Sequence, residues 1–281
     1  MKIGNYEIHA IDTGSFRLDG GAMFGVIPKT LWNRKNPADE QNRIEMAMRC
    51  LLLVSDKKKI LVDTGIGRKF PEKETNIYHI EHTQDTLDKS LKKLGFTKND
   101  ITDVFITHLH FDHAGGNTRL ENGKPAPAFP NALYHVDRYH YEWACFPTKR
   151  DSASFLPENF EVLKDTGQLQ LHNGASSLFP GTSIVKVHGH TPHQSLLKVE
   201  SKETTLLYCA DLIPTSSHIS LPWIMGYDLH AAQTLGEKEI LLEEAYRGKW
   251  ILFFEHDPKN CACTVKKNEK QDYEPFEWIK I

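Results

Sequence analysis

Apolar and polar positions along the chain lay out a mixed α/β protein. Tyr6-Glu7-Ile8-His9-Ala10-Ile11 alternates with a period of two, as a half-buried strand does, and Asp12-Thr13-Gly14 marks its expected end. Met46 to Val54 is a nearly unbroken apolar run, and Ile60-Leu61-Val62 follows the charged turn Lys57-Lys58-Lys59. Such runs predict strands covered on both faces. Val104-Phe105-Ile106, Ala132–Val136, Ser183–Val187, Thr204–Asp211 and Lys249–Asp257 contain further strands by the same argument. Leu87, Leu91 and Leu94, spaced i, i+4, i+7 and stopped by Gly95, predict an amphipathic helix over Thr83–Gly95. A second is expected over Thr234–Tyr246, facing inward through Leu235, Ile240, Leu241, Leu242 and Ala245. Asp137 to Trp143 predicts a short third. Gly20 to Pro28 is too glycine-rich for a regular helix. It is either an ordinary connector or a loop that sets Met23 and Phe24 as an apolar wall over a site. Pro37–Asn42, Glu121–Pro127 and Pro147–Asn159 have loop or turn composition.

Composition narrows the classes. The chain has 281 residues and is 40% hydrophobic and 25% charged, the balance of a globular protein, so residues 1–281 are expected to form a single domain. A net charge of −3 offers no broad basic surface for nucleic acid. No stretch approaches the roughly twenty apolar residues of a membrane span, and Lys2-Ile3-Gly4-Asn5-Tyr6 does not open a secretory leader. Five scattered cysteines suit a reducing compartment, and a cytoplasmic location is expected. Cys261-Ala262-Cys263 lacks a second pair nearby, so metal binding or redox cycling there competes with a structural role. A homodimer is compatible with these features.

The chemistry is concentrated in Thr107-His108-Leu109-His110-Phe111-Asp112-His113-Ala114-Gly115-Gly116-Asn117, at the end of a predicted strand. Imidazole and carboxylate are the donors zinc and similar divalent ions select. If the backbone stays extended here, His108, His110 and Asp112 share one side and His113 points elsewhere. That arrangement suits two neighbouring ions, the first held by His108 and His110, the second reached by Asp112 and His113. His79 and His82 stand alone and are expected on the surface or in the core.

The pattern His108-x-His110-x-Asp112-His113 resembles the signature of the metallo-β-lactamase superfamily, and H-L-H-F-D-H-A-G-G-N is most similar to its N-acyl homoserine lactonases. The resemblance implies a four-layer αββα sandwich with metals at one edge. It also implies three further ligands. His190, in Gly189-His190-Thr191-Pro192-His193, matches the next histidine, with His188 as its competitor. This loop is one residue shorter than the family pattern, which leaves the role of His193 open. Asp211 matches an aspartate that bridges two metals, and His256 matches the last ligand. His108, His190, Asp211 and His256 each fall at or just past the end of a predicted strand, which suits rigid aiming at one point. Asp63, in Asp63-Thr64-Gly65, either ends a strand or orients a ligand histidine through its free ring N–H. Histidine at position 110, where di-iron members have glutamate, argues for hydrolysis over redox chemistry.

The implied activity is that of a dinuclear-zinc hydrolase in which a metal-bridging hydroxide attacks a lactone or other ester carbonyl; manganese, iron or cobalt suit the same ligands. Asp112 is expected to accept a hydrogen bond from the hydroxide and to shuttle its proton. The substrate is a small molecule. In the lactonases a tyrosine stands three residues after the bridging aspartate; here that position is Pro214, and Thr215 and His218 are offered as substitutes. Phosphotriesterases of the methyl-parathion type also lack the tyrosine, so a phosphotriesterase or phosphodiesterase is the alternative. A non-catalytic metal-binding protein is a third reading. Ser216–Asp228 is expected to form part of the pocket, with Trp223 and Met225 as candidate walls beside Phe111 and ordinary packing as the competing role; by the resemblance Pro147–Asn159 is where such pockets are built, and Tyr139, Phe146 and Phe155 either line one or pack.

Overall fold

The computed structural model describes residues 1–82, 86–174 and 176–281. The first sheet is built from β1 (Lys2–Ile3), β2 (Tyr6–Asp19), β3 (Arg43–Val54), β4 (Lys59–Val62) and β5 (Asp103–Phe105). A small hairpin, β6 (Thr118–Glu121) and β7 (Lys124–Pro127), stands apart, and β8 (Leu133–Asp137) and β9 (Leu169–His172) complete the first sheet in the order β1-β2-β3-β4-β5-β8-β9. The second sheet runs in sequence order through β10 (Thr182–Val187), β11 (Gln194–Glu200), β12 (Thr205–Tyr208), β13 (Ile251–Phe253), β14 (Ala262–Lys267) and β15 (Tyr273–Ile279).

The continuous apolar run in β3 follows from the pleat. Leu51 and Leu53 point into the core between the sheets with Val62, Phe105, Leu206 and Phe253. Leu52, between them, turns to the outer face with Leu61 and Val104, where Leu87, Leu91 and Leu163 cover it from neighbouring helices. On the other side Leu241, Leu242 and Ala245 of the long helix Ala231–Gly248 join the inter-sheet core. The layers are therefore helix, sheet, sheet, helix, as expected.

Strand direction gathers the strand ends. β4 and β5 are parallel. In the second sheet β10 and β12 are each antiparallel to β11, and β13 is parallel to β12, so all three share one direction. The loops that follow them consequently leave from common edges.

Several local expectations are corrected. Strand β2 does not end at Ile11: a register shift at Asp12/Gly14 absorbs the turn-like residues and the strand continues to Asp19. Gly20–Phe24 forms one helical turn, because Asp19 accepts the N–H of Ala22 and Gly20 packs under the Trp32 ring, where a Cβ would come within 2.4 Å. The predicted helix over Thr83–Gly95 is Leu87–Lys93, capped by Thr86; its first three residues lie outside the described ones. In Ala231–Gly248, Leu235 and Ile240 face solvent, while Lys238 is buried with Nζ donating to the carbonyls of Ser220, Leu221 and Trp223. A lysine stem covers apolar surface as readily as a leucine does, provided the ammonium finds acceptors. Strands β9, β11, β14 and β15 were not anticipated by the hydrophobic pattern. Cys263 is buried in β14 and Cys261 donates weakly to the Ile279 carbonyl. All five cysteines are free. Among the described residues no helix is long and apolar enough to cross a membrane.

Candidate metal centre

His108, His190, Asp211 and His256 each lie three residues beyond the last residue of a strand, namely β5, β10, β12 and β13. The motif itself is not extended throughout. His110 caps a single helical turn, Phe111–Ala114, which swings Asp112 and His113 into position by rotation rather than by the period of two. The grouping nonetheless falls out as the donor types suggest: His108, His110, His190 and Asp211 form one buried cluster and Asp112, His113, Asp211 and His256 another, with donor atoms inside each within 4.8 Å of one another.

Asp211 joins the two. Its Oδ2 lies 3.3 Å from His190 Nε2 and 3.8 Å from His108 Nε2, and its Oδ1 lies 3.4 Å from His113 Nε2 and 3.3 Å from His256 Nε2. Burial opposes ionisation of Asp211, but the imidazoles of His113 and His190 hold its carboxyl well below the usual carboxylate range. His108 and His110 are pushed well below the usual imidazole range, first by burial and then by neighbouring histidines. Neutral rings and an ionised carboxylate are the protonation states that metal ligation requires. Nε2 of His108 and Oδ1 of Asp211 are buried without a hydrogen-bond partner among the described residues. Orphaned donors of this kind, converging in a buried cluster, fit divalent cations.

The outer ring nitrogens are held in place. His190 Nδ1 lies 2.8 Å from Asp228 Oδ1, and His256 Nδ1 lies 2.9 Å from the Ala47 carbonyl. His113 Nδ1 lies 3.0 Å from Asp63 Oδ2 and 2.9 Å from Glu255 Oε2. Asp63 also accepts from the backbone and the hydroxyl of Thr107. It adopts φ 56°, left-handed backbone that aspartate and asparagine tolerate better than other non-glycine residues. Glu255 and Asp228 escaped the sequence reading. Glu255 adjoins a candidate ligand in Glu255-His256-Asp257, which is a local signal; Asp228 has none.

A cavity of about 350 Å³ opens beside these groups. Met23, Phe111 and Met225 line it, together with His110, Asp112, His190, Asp211 and His256. Leu18, Met46 and Tyr78 complete part of the wall and were not anticipated, while Arg150 and Tyr227 come from the Pro147–Asn159 and Ser216–Asp228 segments expected at the pocket. Phe24 and Trp223 sit behind that wall: Phe24 stacks on His218 at 4.8 Å and meets Trp223 edge-on at 5.5 Å. His218 does not reach the cavity. Its Nε2 lies 2.8 Å from the Met23 carbonyl and its Nδ1 lies 2.8 Å from the Thr215 hydroxyl, so both nitrogens are engaged. Phe155 packs on His110 at 4.7 Å, whereas Phe146 is 86% exposed and Tyr139 lies tilted against His193 at 5.2 Å. His188 and His193 meet edge-on at 4.7 Å and belong to neither cluster. His79 pairs with Glu81 at the surface.

Two stacked sheets that deliver paired His/Asp clusters to one edge, beside a cavity, fit a metal-dependent hydrolase. Comparison with known proteins agrees. Residues 49–256 match the family model of the metallo-beta-lactamase superfamily, and the chain belongs to that superfamily. It is 30% identical over 227 residues to an N-acyl homoserine lactonase of a Bacillus species, covering 76% of this chain and 82% of that one. It is 23% identical over 295 residues to N-acyl homoserine lactonase AiiB of Agrobacterium fabrum, covering 95% and 99%. Among solved structures, a probable metal-dependent hydrolase from Staphylococcus aureus superposes with a TM-score of 0.88 at 27% identity, over 99% of this chain and 100% of that one. The dizinc quorum-quenching lactonase AidC shares the fold with a TM-score of 0.80 at 23% identity, over 100% and 96%.

Proposed function

We propose that the protein is a dinuclear-zinc hydrolase that opens a lactone or another carboxylic ester. The observation that supports this reading is the joining of two buried ligand clusters through the two oxygens of Asp211, beside an apolar cavity. His108, His110 and His190 would hold one ion, Asp112, His113 and His256 the other, and Asp211 both. Such a pair supplies a hydroxide-strength nucleophile at neutral pH and a Lewis acid for the carbonyl oxygen. Asp112 lines the cavity and is the group placed to take a proton from the attacking water and return it to the departing alkoxide. Asp63, Glu255 and Asp228 fix ring orientation from behind. Met23, Phe111 and Met225 receive the apolar part of the substrate and displace water from it. Relatives named as N-acyl homoserine lactonases support a lactone with an acyl chain as the first substrate to try. Manganese, iron and cobalt fit the same donors, with zinc first among them.

One observation favours a second reading. Pro214 stands three residues after Asp211 where the lactonase resemblance calls for a tyrosine, and a phosphotriester needs no such partner for a carbonyl. Zinc-loaded protein assayed on an acyl lactone, an aryl ester and a phosphotriester separates the two. Preference for the carbonyl substrates is the expected result. Turnover of the phosphotriester alone overturns the lactonase reading, and two bound metals with no turnover of any substrate overturn both.

A further inference from the structure

His140 belongs to neither ligand cluster and lies outside the metal motif, on the helix Arg138–Cys145. It is nonetheless fully buried between the two loops that supply the first cluster. Its Nε2 accepts the backbone N–H of Leu109 at 2.8 Å, between His108 and His110. Its Nδ1 lies 2.8 Å from the carbonyl oxygen of Pro192, two residues past His190. The rings these loops present, His110 and His190, approach to 3.1 Å, so the spacing of the loops is the spacing of the ligands.

The two bonds fix the protonation of the ring. A backbone N–H can only donate and a carbonyl can only accept. The pair is satisfied only by a neutral imidazole with its hydrogen on Nδ1 and its lone pair on Nε2. The other tautomer sets donor against donor and acceptor against acceptor, and the imidazolium sets donor against donor at Leu109. Burial pushes His140 down to about 4, which keeps the ring neutral. The ring is itself anchored. Asp137 accepts the N–H groups of Tyr139 and His140 and is paired with Lys186 on β10, the strand that leads to His190. Phe155 packs against both His140 and His110 and fills the remaining space.

The geometry points to His140 as a positioning residue for the first metal: one neutral tautomer clamps the His108/His110 loop to the His190 loop and sets the distance between three ligands. This inference rests on the two-metal reading above. Its test is zinc binding by the full chain, followed by competition with a chromophoric chelator, for wild type, His140→Leu and His140→Gln. Wild type binds two equivalents. His140→Leu weakens one of them roughly 10- to 100-fold, the range found when groups that orient ligands are removed, and leaves the other. His140→Gln recovers most of the loss, because an amide offers one acceptor and one donor. Equal losses in both variants, or none in His140→Leu, overturn the clamp. Should His140→Leu fail to fold, the tautomer is read directly in wild type by ¹⁵N–¹H correlation of the ring: a hydrogen on Nδ1 supports the assignment and one on Nε2 overturns it. Wild type that binds no zinc sinks the two-metal reading itself, a distinct outcome.

Discussion

The Nε2 atoms of His113 and His256 face each other across 3.2 Å, although 143 residues separate them in the chain. Each also lies within 3.4 Å of the same oxygen, Oδ1 of Asp211. Two imidazole nitrogens and a carboxylate oxygen brought this close share either a proton or a cation. Asp211 therefore bears on both clusters at once. Asp211→Ala is expected to release at least one metal and to abolish turnover, as measured by elemental analysis of purified protein alongside an ester assay. Full activity with two metals retained would remove Asp211 from the bridging role.

Proton and metal compete for this pair. Burial disfavours charge on His256, but Asp211 and Glu255 outweigh it and raise the ring to about 9, and His113 is raised in the same sense. A folded value above the unfolded 6.5 means that, without metal, the charged pair stabilises the fold fully below about 6.5 and loses that contribution as pH rises through 9. A metal must displace the proton it finds. Apparent zinc affinity is thus expected to climb as pH rises towards about 9, with release of the protons the pair holds. Calorimetry in buffers of different ionisation enthalpy measures that release; a pH-independent affinity would contradict it.

The clustered histidines and aspartates were legible in the sequence because strand ends and chemistry coincide there. An apolar run followed three residues later by His or Asp states both the rigid support and the group it aims. What was missed depends on partners distant in the chain. Asp228 matters only because His190 Nδ1 lies 2.8 Å away, and Tyr78 matters only because segments far apart in the chain close one cavity. The two misplaced residues of the helix Ala231–Gly248 have the same origin. Ile240 and Leu235 fit an apolar stripe on paper, but the sheet underneath takes Leu241, Leu242 and Ala245, and the loop at Ser220–Trp223 takes Lys238. In the motif, the rise of a helix at Phe111 was hidden because four polar side chains in six positions leave no periodicity to read.

His218, expected on the substrate and found behind the wall, has a measurable consequence for acid stability. Burial holds it down to about 4 against 6.5 unfolded. Between these values the unfolded chain takes up a proton that the folded one refuses. The contribution is therefore complete above pH 6.5 and is lost as pH falls towards 4, amounting to about 3 kcal/mol for a fully buried ring. Denaturant unfolding of His218→Gln should show a pH slope over 4–6.5 shallower than wild type by about one proton. Identical slopes would mean that the ring is protonated in place.

The same logic predicts that His193→Gly is harmless or better. His193 has φ 61°, and its ring meets His188 and Tyr139 and belongs to neither metal cluster. Its backbone N–H donates to His188 Nδ1 and survives the substitution. Glycine relieves left-handed strain worth about 1 kcal/mol. A higher melting temperature with two metals retained is expected. Loss of a metal would return His193 to the site.

Gly116 tests how tightly the motif is braced against Asp63. A Cβ there would lie 2.2 Å from the Thr64 carbonyl oxygen, and one at the neighbouring Gly115 would lie 2.1 Å from that of Ile66. The Asp63–Gly67 loop and the motif are thus in backbone contact, tied further by Thr64 N donating to the His113 carbonyl at 2.8 Å. Gly116→Ala must push the two apart, and Asp63 is the group that moves relative to His113. A stability loss of about 1–3 kcal/mol is expected from the overpacking alone. Weaker metal binding should accompany it, because His113 loses the oxygen 3.0 Å from its Nδ1. Thermal unfolding of metal-free protein reads the first effect and chelator competition the second. A variant destabilised as expected but with unchanged metal affinity would show that Glu255, at 2.9 Å, suffices to orient His113 without Asp63.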